Sequence, residues 1–576
     1  MRHGASRLPR VLRLNKPLTT IHPAPPRHVP LERPGPSAHT LSAQRWSSSA
    51  SESKPEPVGH EDHLPTPQPP EANPAASPTL SVRQWSTPLA KTIAQAIEVT
   101  GPVSIASYMR QCLTNPDGGY YTSTREDADQ FGTAGDFITS PEISQMFGEL
   151  VGIWFMTEWM AQGRPLQGVQ FIEMGPGRGT LMSDILRTIG QFSTFAKSVS
   201  AVWLVEAGEG LRIKQKDVLC GQDAEMKEVR DRTGKNVWWE ATSKQGIPVR
   251  WVEDVVLLPD QTETDDQTIP FIIAHEFFDA LPIHAFESVA PKPEEEQEAQ
   301  SRLLSEAGQP VPKPSTASKL PQWRELLVAP TKPKFDLSSS QATSGADAPT
   351  PARKTQPEPD FQLTLAKAST PSSLVIPERP RYRHLKNQVS SRVEVSPESS
   401  RYVQEFARRI GGAAAADARS KGGKPSGAAL IIDYGPLETV PVDSLRAIRK
   451  HKIVSPFVYA GEADISADVD FVALAHAALE ASPGVEVHGP VEQGFWLGQL
   501  GIKHRAEKLI AELGKTTKGE LPPDELERKK FELETGWKRL VEAGPKGMGK
   551  AYKVMTIVPE NGGRRRPVGF GGGVLG

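Results

Sequence analysis

The apolar positions of the chain change their period near residue 165. Before that point they recur at helical spacing, and the stretch ITSPEISQMFGELVGIWFMTEWM predicts a long helix with Ser140 as its N-cap and Pro141 in its first turn. From residue 169, helical stretches alternate with short apolar runs, namely VQFIEMG, AVWLVEA, VRWVEDV, FIIAHEFF, GAALIIDYG and YKVMTIV. Runs of this kind are typical of strands buried on both faces. The pattern therefore predicts a doubly wound, Rossmann-like α/β sheet with an N-terminal helical extension.

Polar, low-complexity stretches divide the rest of the chain. Two of them, 289–321 and 337–360, are rich in Pro, Ser, Thr or Glu and are predicted to be disordered insertions into the sheet domain. Before the sheet domain, the sequence predicts a presequence at 1–46, a disordered linker at 47–86 and a helical cap region at 87–165. The sheet domain is predicted to begin with 166–288 and to resume at 427–560, with inserted helices at 503–543. Between its two parts we expect an added strand at 322–336, between the insertions, and an added strand and helix at 361–426; a flexible tail at 561–576 follows the domain.

Composition excludes several classes of protein. Only two cysteines, Cys112 and Cys220, occur in 576 residues, which excludes a disulfide scaffold and a Cys-rich zinc site, and we predict no metal centre. No apolar run approaches the ~18 residues that span a bilayer. The net charge of -2 gives no general attraction to nucleic acid.

The first 50 residues differ from the rest of the chain in charge. They contain eight Arg or Lys residues against one acid, Glu32, and sixteen of the 53 prolines fall within the first 80 residues. An Arg-rich, Ser-containing, acid-poor start is typical of a mitochondrial presequence, with cleavage expected near Trp46. A basic, disordered tail is the alternative.

A glycine loop after the first strand is the sharpest motif. Glu173 precedes Gly175-Pro176-Gly177-Arg-Gly179-Thr180, where the strand ends and a helix begins. The pattern G-x-G-x-G lacks the glycine that a dinucleotide fingerprint would need at Thr180, and it lacks the ending of a phosphate-binding loop. It resembles the first motif of S-adenosyl-L-methionine methyltransferases. We therefore expect the loop to bind the methionine part of this cofactor, with Glu173 near its ammonium group. A tight turn without a ligand is the alternative.

Acidic residues end the next two strands. Glu206 closes AVWLVEA, and a carboxylate at this position can accept two hydrogen bonds from a ribose. Glu253 and Asp254 end the following strand and are candidates to accept from the adenine amino group, with solvated loop acids as the alternative. Phe137 and Thr139, in the loop before the long helix, are further candidate cofactor contacts; ordinary helix capping would also explain them.

The strand FII ends in the motif His275-Glu276-Phe-Phe-Asp279-Ala-Leu-Pro. The carboxyl ends of strands carry function in open α/β sheets, so Glu276 and Asp279 are candidate catalytic acids. Asp433, in LIIDYG, and His451, in a basic run, are less strongly indicated, and a surface position is the alternative for His451.

Six segments in order resemble the MidA-like family, which comprises mitochondrial protein arginine methyltransferases that assist complex I assembly. The segments are GDFITSPEISQMFGEL, FIEMGPGRGTLMSDILR, HEFFDALP, LIIDYG, DISADVDF and GMGKAYKV. The resemblance implies a class I S-adenosyl-L-methionine-dependent methyltransferase fold. It also implies symmetric dimethylation, in the mitochondrial matrix, of an arginine on the 49-kDa-type core subunit of complex I. The family usually has asparagine where this chain has His275.

The chemistry of this reaction suits the candidate acids. A guanidinium is a poor nucleophile because its charge is delocalised, and carboxylates can hold it in place and concentrate its charge on one nitrogen. Two other functions stay open: a methyltransferase with another protein or small-molecule acceptor, and a non-catalytic assembly chaperone. The sequence does not indicate the oligomeric state.

Overall fold

The computed structural model describes residues 83–122, 138–230, 234, 237–259, 268–291, 320–332, 358–412, 424–516 and 522–571. The predicted presequence, most of the linker and the larger part of both predicted insertions lie outside these residues, and so does Phe137. Among the helices described, none is both long enough and apolar enough to cross a membrane.

Seventeen strands occur in the described part of the chain. They are β1 (Val103–Ser104), β2 (Val169–Met174), β3 (Val199–Val205), β4 (Lys227–Arg230), β5 (Val237–Thr242), β6 (Pro248–Val252), β7 (Ile269–His275), β8 (His284–Val289), β9 (Gln322–Pro330), β10 (Phe361–Leu365), β11 (Arg392–Val395), β12 (Ala428–Tyr434), β13 (Arg446–Arg449), β14 (Lys452–Val454), β15 (Asp464–Ser466), β16 (Val485–Glu492) and β17 (Tyr552–Pro559).

Thirteen α-helices accompany them in the described residues. They are α1 (Pro88–Thr100), α2 (Ile105–Thr114), α3 (Ser140–Ile143), α4 (Gln145–Ala161), α5 (Thr180–Ile189), α6 (Ser193–Ser198), α7 (Glu209–Leu219), α8 (Pro371–Val375), α9 (Pro397–Gly411), α10 (Phe471–Ala481), α11 (Gln493–Gln499), α12 (Ile502–Thr516) and α13 (Pro523–Val541).

Nine strands form the central sheet, in the order β16-β17-β12-β7-β2-β3-β6-β5-β4. Strands β12, β7, β2, β3 and β6 are parallel, so their carboxyl ends lie along one edge. The last strand of the chain, β17, lies antiparallel between β12 and β16. Buried clusters cover both faces, one containing α4 and α5 and the other containing α9 and α10. Helices on both faces and a reversal of strand order next to β2 create the crevice in which such sheets bind ligands.

Two smaller sheets lie beside the central one. In the first, β9 pairs with β1, β8 and β10, and β8 also pairs with β11; in the second, β13 lies between β14 and β15. Together with α1 and α2, parts of both sheets enclose a separate apolar cluster. These elements come from the N-terminal region and from the segments between β7 and β12 and between β12 and β16.

The structure differs from the prediction at two places. The expected long helix is two helices, because Ser144 is extended and caps α4, with its hydroxyl accepting from Met146. Ser140 is consequently the first residue of α3, and Thr139 is the N-cap. Residues 561–571 are not a free tail: Val568 and Phe570 are buried, and the Trp154 indole donates to the Val568 carbonyl at 3.1 Å.

Candidate active site

A cavity of about 390 Å³ opens where the strands β2, β3, β6 and β7 end. Acidic groups outnumber basic ones in its lining, which includes Glu142, Glu173, Glu206, Glu253, Asp254, Glu276 and Glu398 against Arg110 and Arg178. The cavity therefore favours ligands that carry positive charge.

The glycine loop forms the floor of the cavity, with Gly175, Pro176, Gly177 and Thr180 in its lining. Gly175 has φ +56°, and a Cβ atom there would lie 3.0 Å from the Phe277 ring. The loop thus requires glycine both for its left-handed backbone and for the close approach of Phe277. Gly179, also left-handed, is the N-cap of α5, so the unpaired N–H groups of that helix face the edge where the strands end.

Glu173, the penultimate residue of β2, is the buried carboxyl beside this loop. Only 3% of the residue is exposed, and its Oε2 has no hydrogen-bond partner among the described residues. Burial raises the pKa of Glu173 from 4.5 to about 8. A buried carboxyl with an unused oxygen is destabilising unless a ligand supplies a donor, and an ammonium group would do so.

Glu206, just after β3, is tied to the glycine loop by Gln215 of α7. The Gln215 amide donates to the Gly177 carbonyl at 2.8 Å and to Glu206 Oε2 at 3.1 Å, and its oxygen accepts from the Trp251 indole at 3.0 Å. The Gly208 N–H donates to the other oxygen, Oε1, at 2.8 Å. Burial raises the pKa of Glu206 to about 7, while these donors oppose the rise.

Sequence reasoning missed Gln215. Its signal is a polar residue between Leu211 and Leu219, at the i+4 spacing of the buried face of α7. A glutamine at such a position is buried only if it has partners, and here it joins the two predicted parts of the cofactor site.

The two acids after β6 differ in their surroundings. Glu253 is half-exposed and lies 3.4 Å from the Arg212 guanidinium, which also donates to the Glu206 carbonyl. Asp254 accepts from the Val256 N–H at 3.0 Å as the N-cap of a short 3₁₀ turn. Both line the cavity, so both positions agree with the predicted adenine end.

Thr139 also lines the cavity, next to Glu142. The Glu142 carboxylate accepts from the Thr139 N–H at 3.2 Å, which makes the pair a capping box for α3. The capping function expected as the alternative is therefore present, at a position that a ligand could also contact.

Glu276 is the buried acid at the end of β7. It has a positive φ of +51°, and its side chain is 7% exposed. Burial and the neighbouring Asp279 raise its pKa well above 4.5, and hydrogen bonds from the Tyr552 hydroxyl and the Ser140 backbone oppose the rise. Its Oε1 lies 3.3 Å from Nε2 of His275, but neither atom forms a hydrogen bond with described residues. Both residues line the cavity.

Asp433, predicted to bind the acceptor, instead supports the Glu276 turn. The residue is fully buried, and its Oδ2 accepts from the N–H groups of Phe277 (3.1 Å), Phe278 (2.8 Å) and Asp279 (3.3 Å). Its Oδ1 accepts from the Tyr434 N–H at 2.8 Å. Both oxygens are therefore engaged by backbone, which leaves Asp433 a structural function at this site.

Asp279 and His451 lie outside the cavity lining. Asp279 is buried behind the turn, where burial raises its pKa to about 6 and the Arg446 guanidinium opposes the rise. His451 is exposed, with φ +58°, at the reversal between β13 and β14. This position does not support a catalytic function for His451. It agrees with the alternative expectation, that His451 is a surface histidine.

The residues of the cavity fit S-adenosyl-L-methionine. Glu173 provides a buried carboxyl oxygen without a hydrogen bond from the described residues. The left-handed glycines leave space for a ligand beside the N-terminus of α5, and the Glu206 carboxyl lies just after the neighbouring strand β3. These groups match an ammonium, a carboxylate and a ribose, respectively.

Fold and site together define a class I S-adenosyl-L-methionine-dependent methyltransferase. The model of a family described as putative S-adenosyl-L-methionine-dependent methyltransferases matches residues 150–491. The chain belongs to this MidA-like family, and the predicted family, fold class and cofactor are thereby confirmed.

Curated relatives match most of the chain. A protein named as the mitochondrial protein arginine methyltransferase NDUFAF7 homolog of Drosophila melanogaster is 32% identical over 493 residues, which cover 85% of this chain and 89% of the relative. The protein arginine methyltransferase NDUFAF7 of Homo sapiens, also named as mitochondrial, is 30% identical over 475 residues, covering 82% and 84%.

A solved structure shares the fold. A methyltransferase-like protein of Burkholderia thailandensis, crystallised with S-adenosyl-homocysteine, superposes with a TM-score of 0.51 at 19% identity, covering 82% of this chain and 91% of that one. At this identity the likeness supports the fold.

Proposed function

We propose that this protein is a mitochondrial matrix protein arginine N-methyltransferase that symmetrically dimethylates an arginine of the 49-kDa-type core subunit of complex I. Three observations support the proposal: the names of the curated relatives, the resemblance of the six motifs, and the Arg-rich, acid-poor first 50 residues.

One structural observation supports a cationic acceptor, as an arginine would be. Glu276, a buried carboxyl with an unused oxygen, lies in the same cavity as the glycine loop and Glu173. When bound, the cofactor supplies an electrophilic methyl group on a sulfonium. The Glu276 carboxylate holds the acceptor guanidinium against that side of the cavity and concentrates its positive charge on the nitrogen that it binds, so that another nitrogen becomes more nucleophilic.

The ionisation of Glu276 couples acceptor binding to proton release. Because burial and Asp279 raise its pKa well above 4.5, the empty site favours the protonated carboxyl. A bound guanidinium favours the carboxylate, and the displaced proton leaves to solvent. Acceptor binding and proton release at Glu276 are therefore linked.

The decisive experiment is methylation of isolated complex I subunits. We would incubate the protein with S-adenosyl-L-methionine carrying a labelled methyl group and the purified 49-kDa-type subunit, and map the label by mass spectrometry. We expect symmetric dimethylarginine at one position. Glu276→Gln should lower turnover at least ~100-fold with little change in cofactor affinity, because it removes the carboxylate that binds the acceptor guanidinium and not the cofactor. The matched control is Glu98→Gln, an exposed position on α1.

Other outcomes identify the alternatives. Label found only in small molecules, or on residues other than arginine, would exclude the proposed acceptor. If complex I assembly in cells requires the protein but Glu276→Gln supports it fully, the chaperone function is the correct one. Monomethylarginine or asymmetric dimethylarginine as the product would support the arginine methyltransferase activity but contradict symmetric dimethylation.

A further inference from the structure

Two residues that line the cavity each have a buried polar atom that forms no hydrogen bond with the described part of the chain. Nε2 of His275 and Oε1 of Glu276 are 3.3 Å apart, and the two side chains are only 6% and 7% exposed. Neither atom forms a hydrogen bond with any described residue. Because unpaired buried polar atoms cost free energy, a pair of them lining one cavity indicates a ligand that satisfies both.

The His275 ring is held in a defined orientation. It ends β7, where it pairs with Ile432 of β12. Its ring lies 5.1 Å from that of Phe147 and stacks at 6.4 Å on that of Tyr552, with an angle of 8° between the planes. Burial lowers the pKa of His275 to about 3, so the imidazole is neutral at physiological pH. With its proton on Nδ1, the neutral ring presents a lone pair at Nε2.

We propose that His275 and Glu276 form a two-point acceptor for the guanidinium of the substrate and that His275 selects arginine over lysine. The inference rests on the proposed function, since it assigns a second residue to the same acceptor site. A guanidinium presents N–H donors side by side on neighbouring nitrogens, which suits two acceptors this close together. The N–H bonds of an ammonium diverge from one nitrogen, so a lysine donates well to only one of the two atoms.

The two acceptors have different charges, which makes their functions separable. Glu276 supplies the negative charge that binds any cation. His275 adds a directional hydrogen-bond acceptor without adding charge. Its removal should therefore change the ratio of arginine to lysine affinity more than the overall affinity for cations. An asparagine at this position would also offer a neutral acceptor, its amide oxygen.

The test is direct binding, which does not depend on turnover. The probes are Nα-acetyl-arginine amide and Nα-acetyl-lysine amide, titrated by NMR into the full-length protein saturated with S-adenosyl-homocysteine. His275→Leu should weaken arginine binding about 10-fold and lysine binding at most ~2-fold, as expected for one hydrogen bond to a charged group. His275→Asn should retain most of the preference. His476→Leu, at an exposed position on α10, is the matched control.

Each remaining outcome overturns the inference. An unchanged arginine-to-lysine ratio in a folded His275→Leu variant, with the same thermal midpoint as the control, shows that His275 does not select the acceptor. Weaker S-adenosyl-homocysteine binding with an unchanged ratio would place His275 in the cofactor site. If that ratio is unchanged while the unaltered protein prefers arginine and methylates it, only the inference fails; if the unaltered protein binds neither probe, the proposed function fails as well.

Discussion

Replacing Asp433 by alanine should unfold the site rather than merely slow the reaction. Asp433 Oδ2 accepts from three consecutive N–H groups, at 3.1, 2.8 and 3.3 Å, in a residue with no exposed surface. Each buried N–H that loses its partner costs about 1–3 kcal/mol. Because the three share one acceptor, their losses are not additive, and we expect Asp433→Ala to destabilise the protein by about 3–5 kcal/mol.

The measurement is thermal unfolding, monitored together with S-adenosyl-L-methionine binding by calorimetry. For a chain of this size, a loss of this magnitude should lower the midpoint by about 3–5 °C. The matched control is Asp223→Ala, at an exposed aspartate in the turn after α7, for which we expect a change within about 0.5 kcal/mol. If Asp433→Ala has an unchanged midpoint and loses only turnover, then Asp433 contacts the acceptor and our interpretation of the turn is incorrect.

Three other substitutions test the cofactor site and the C-terminal segment. Because burial raises the pKa of Glu173 to about 8, the folded protein holds that proton more tightly than the unfolded chain does, and the contribution of Glu173 to stability is lost as pH rises from about 4.5 to 8. Glu173→Gln should therefore make the fall of stability with pH less steep in ligand-free thermal unfolding, and it should weaken cofactor binding at least ~10-fold. Gln215→Leu, which releases the carboxylate of Glu206, should weaken cofactor binding about 10-fold in calorimetry. Arg565→Ala leaves the fully buried Glu158 without its ion pair and should cost about 3–5 kcal/mol in thermal unfolding, while the folded fraction still binds the cofactor.

Specific results would contradict each of these expectations. A Glu173→Gln variant with the same pH dependence of stability as the unaltered protein would show that Glu173 is ionised when folded. Full cofactor affinity in Gln215→Leu would mean that the bridge between the glycine loop and β3 is dispensable. Normal stability in Arg565→Ala would mean that the segment at 561–571 does not hold α4 in place.

Local patterns were sufficient to predict six of the nine strands of the central sheet and the glycine loop that lines the cavity, while the cofactor contacts of individual residues stay predictions. The short apolar runs before Glu173 and Glu206 are the strands β2 and β3, because a strand buried on both faces must be apolar almost throughout. The turn between Gly175 and Gly179 can be predicted from the sequence because its left-handed backbone requires glycine at particular positions. In each case the candidate functional residues lie next to the residues that determine their local structure in the sequence.

Contacts between distant segments were not predictable in the same way. Asp433 is 154 residues or more from the N–H groups that it binds, and Gln215 is 38 residues from Gly177. Nothing local distinguishes an aspartate that binds a substrate from one that holds a turn, since both occur near the carboxyl end of a buried strand, as Asp433 does in β12. The break between α3 and α4 has a local cause, because the extended Ser144 caps α4 with its hydroxyl, whereas the sequence analysis considered only Ser140 as a cap.

The connection between β7 and β12 explains how the chain holds Glu276 in an unfavourable conformation. A glutamate with φ +51° costs about 1–2 kcal/mol relative to the ordinary backbone regions. On the neighbouring strand, Asp433 binds the three N–H groups that follow Glu276, and those hydrogen bonds more than offset this cost. The next residue, Tyr434, is hydrogen-bonded to Tyr552, whose hydroxyl reaches Glu276. Two adjacent residues of β12 thus hold this acid in place: Asp433 fixes the turn that follows Glu276, and Tyr434 binds the Tyr552 hydroxyl that reaches the Glu276 side chain at the cavity.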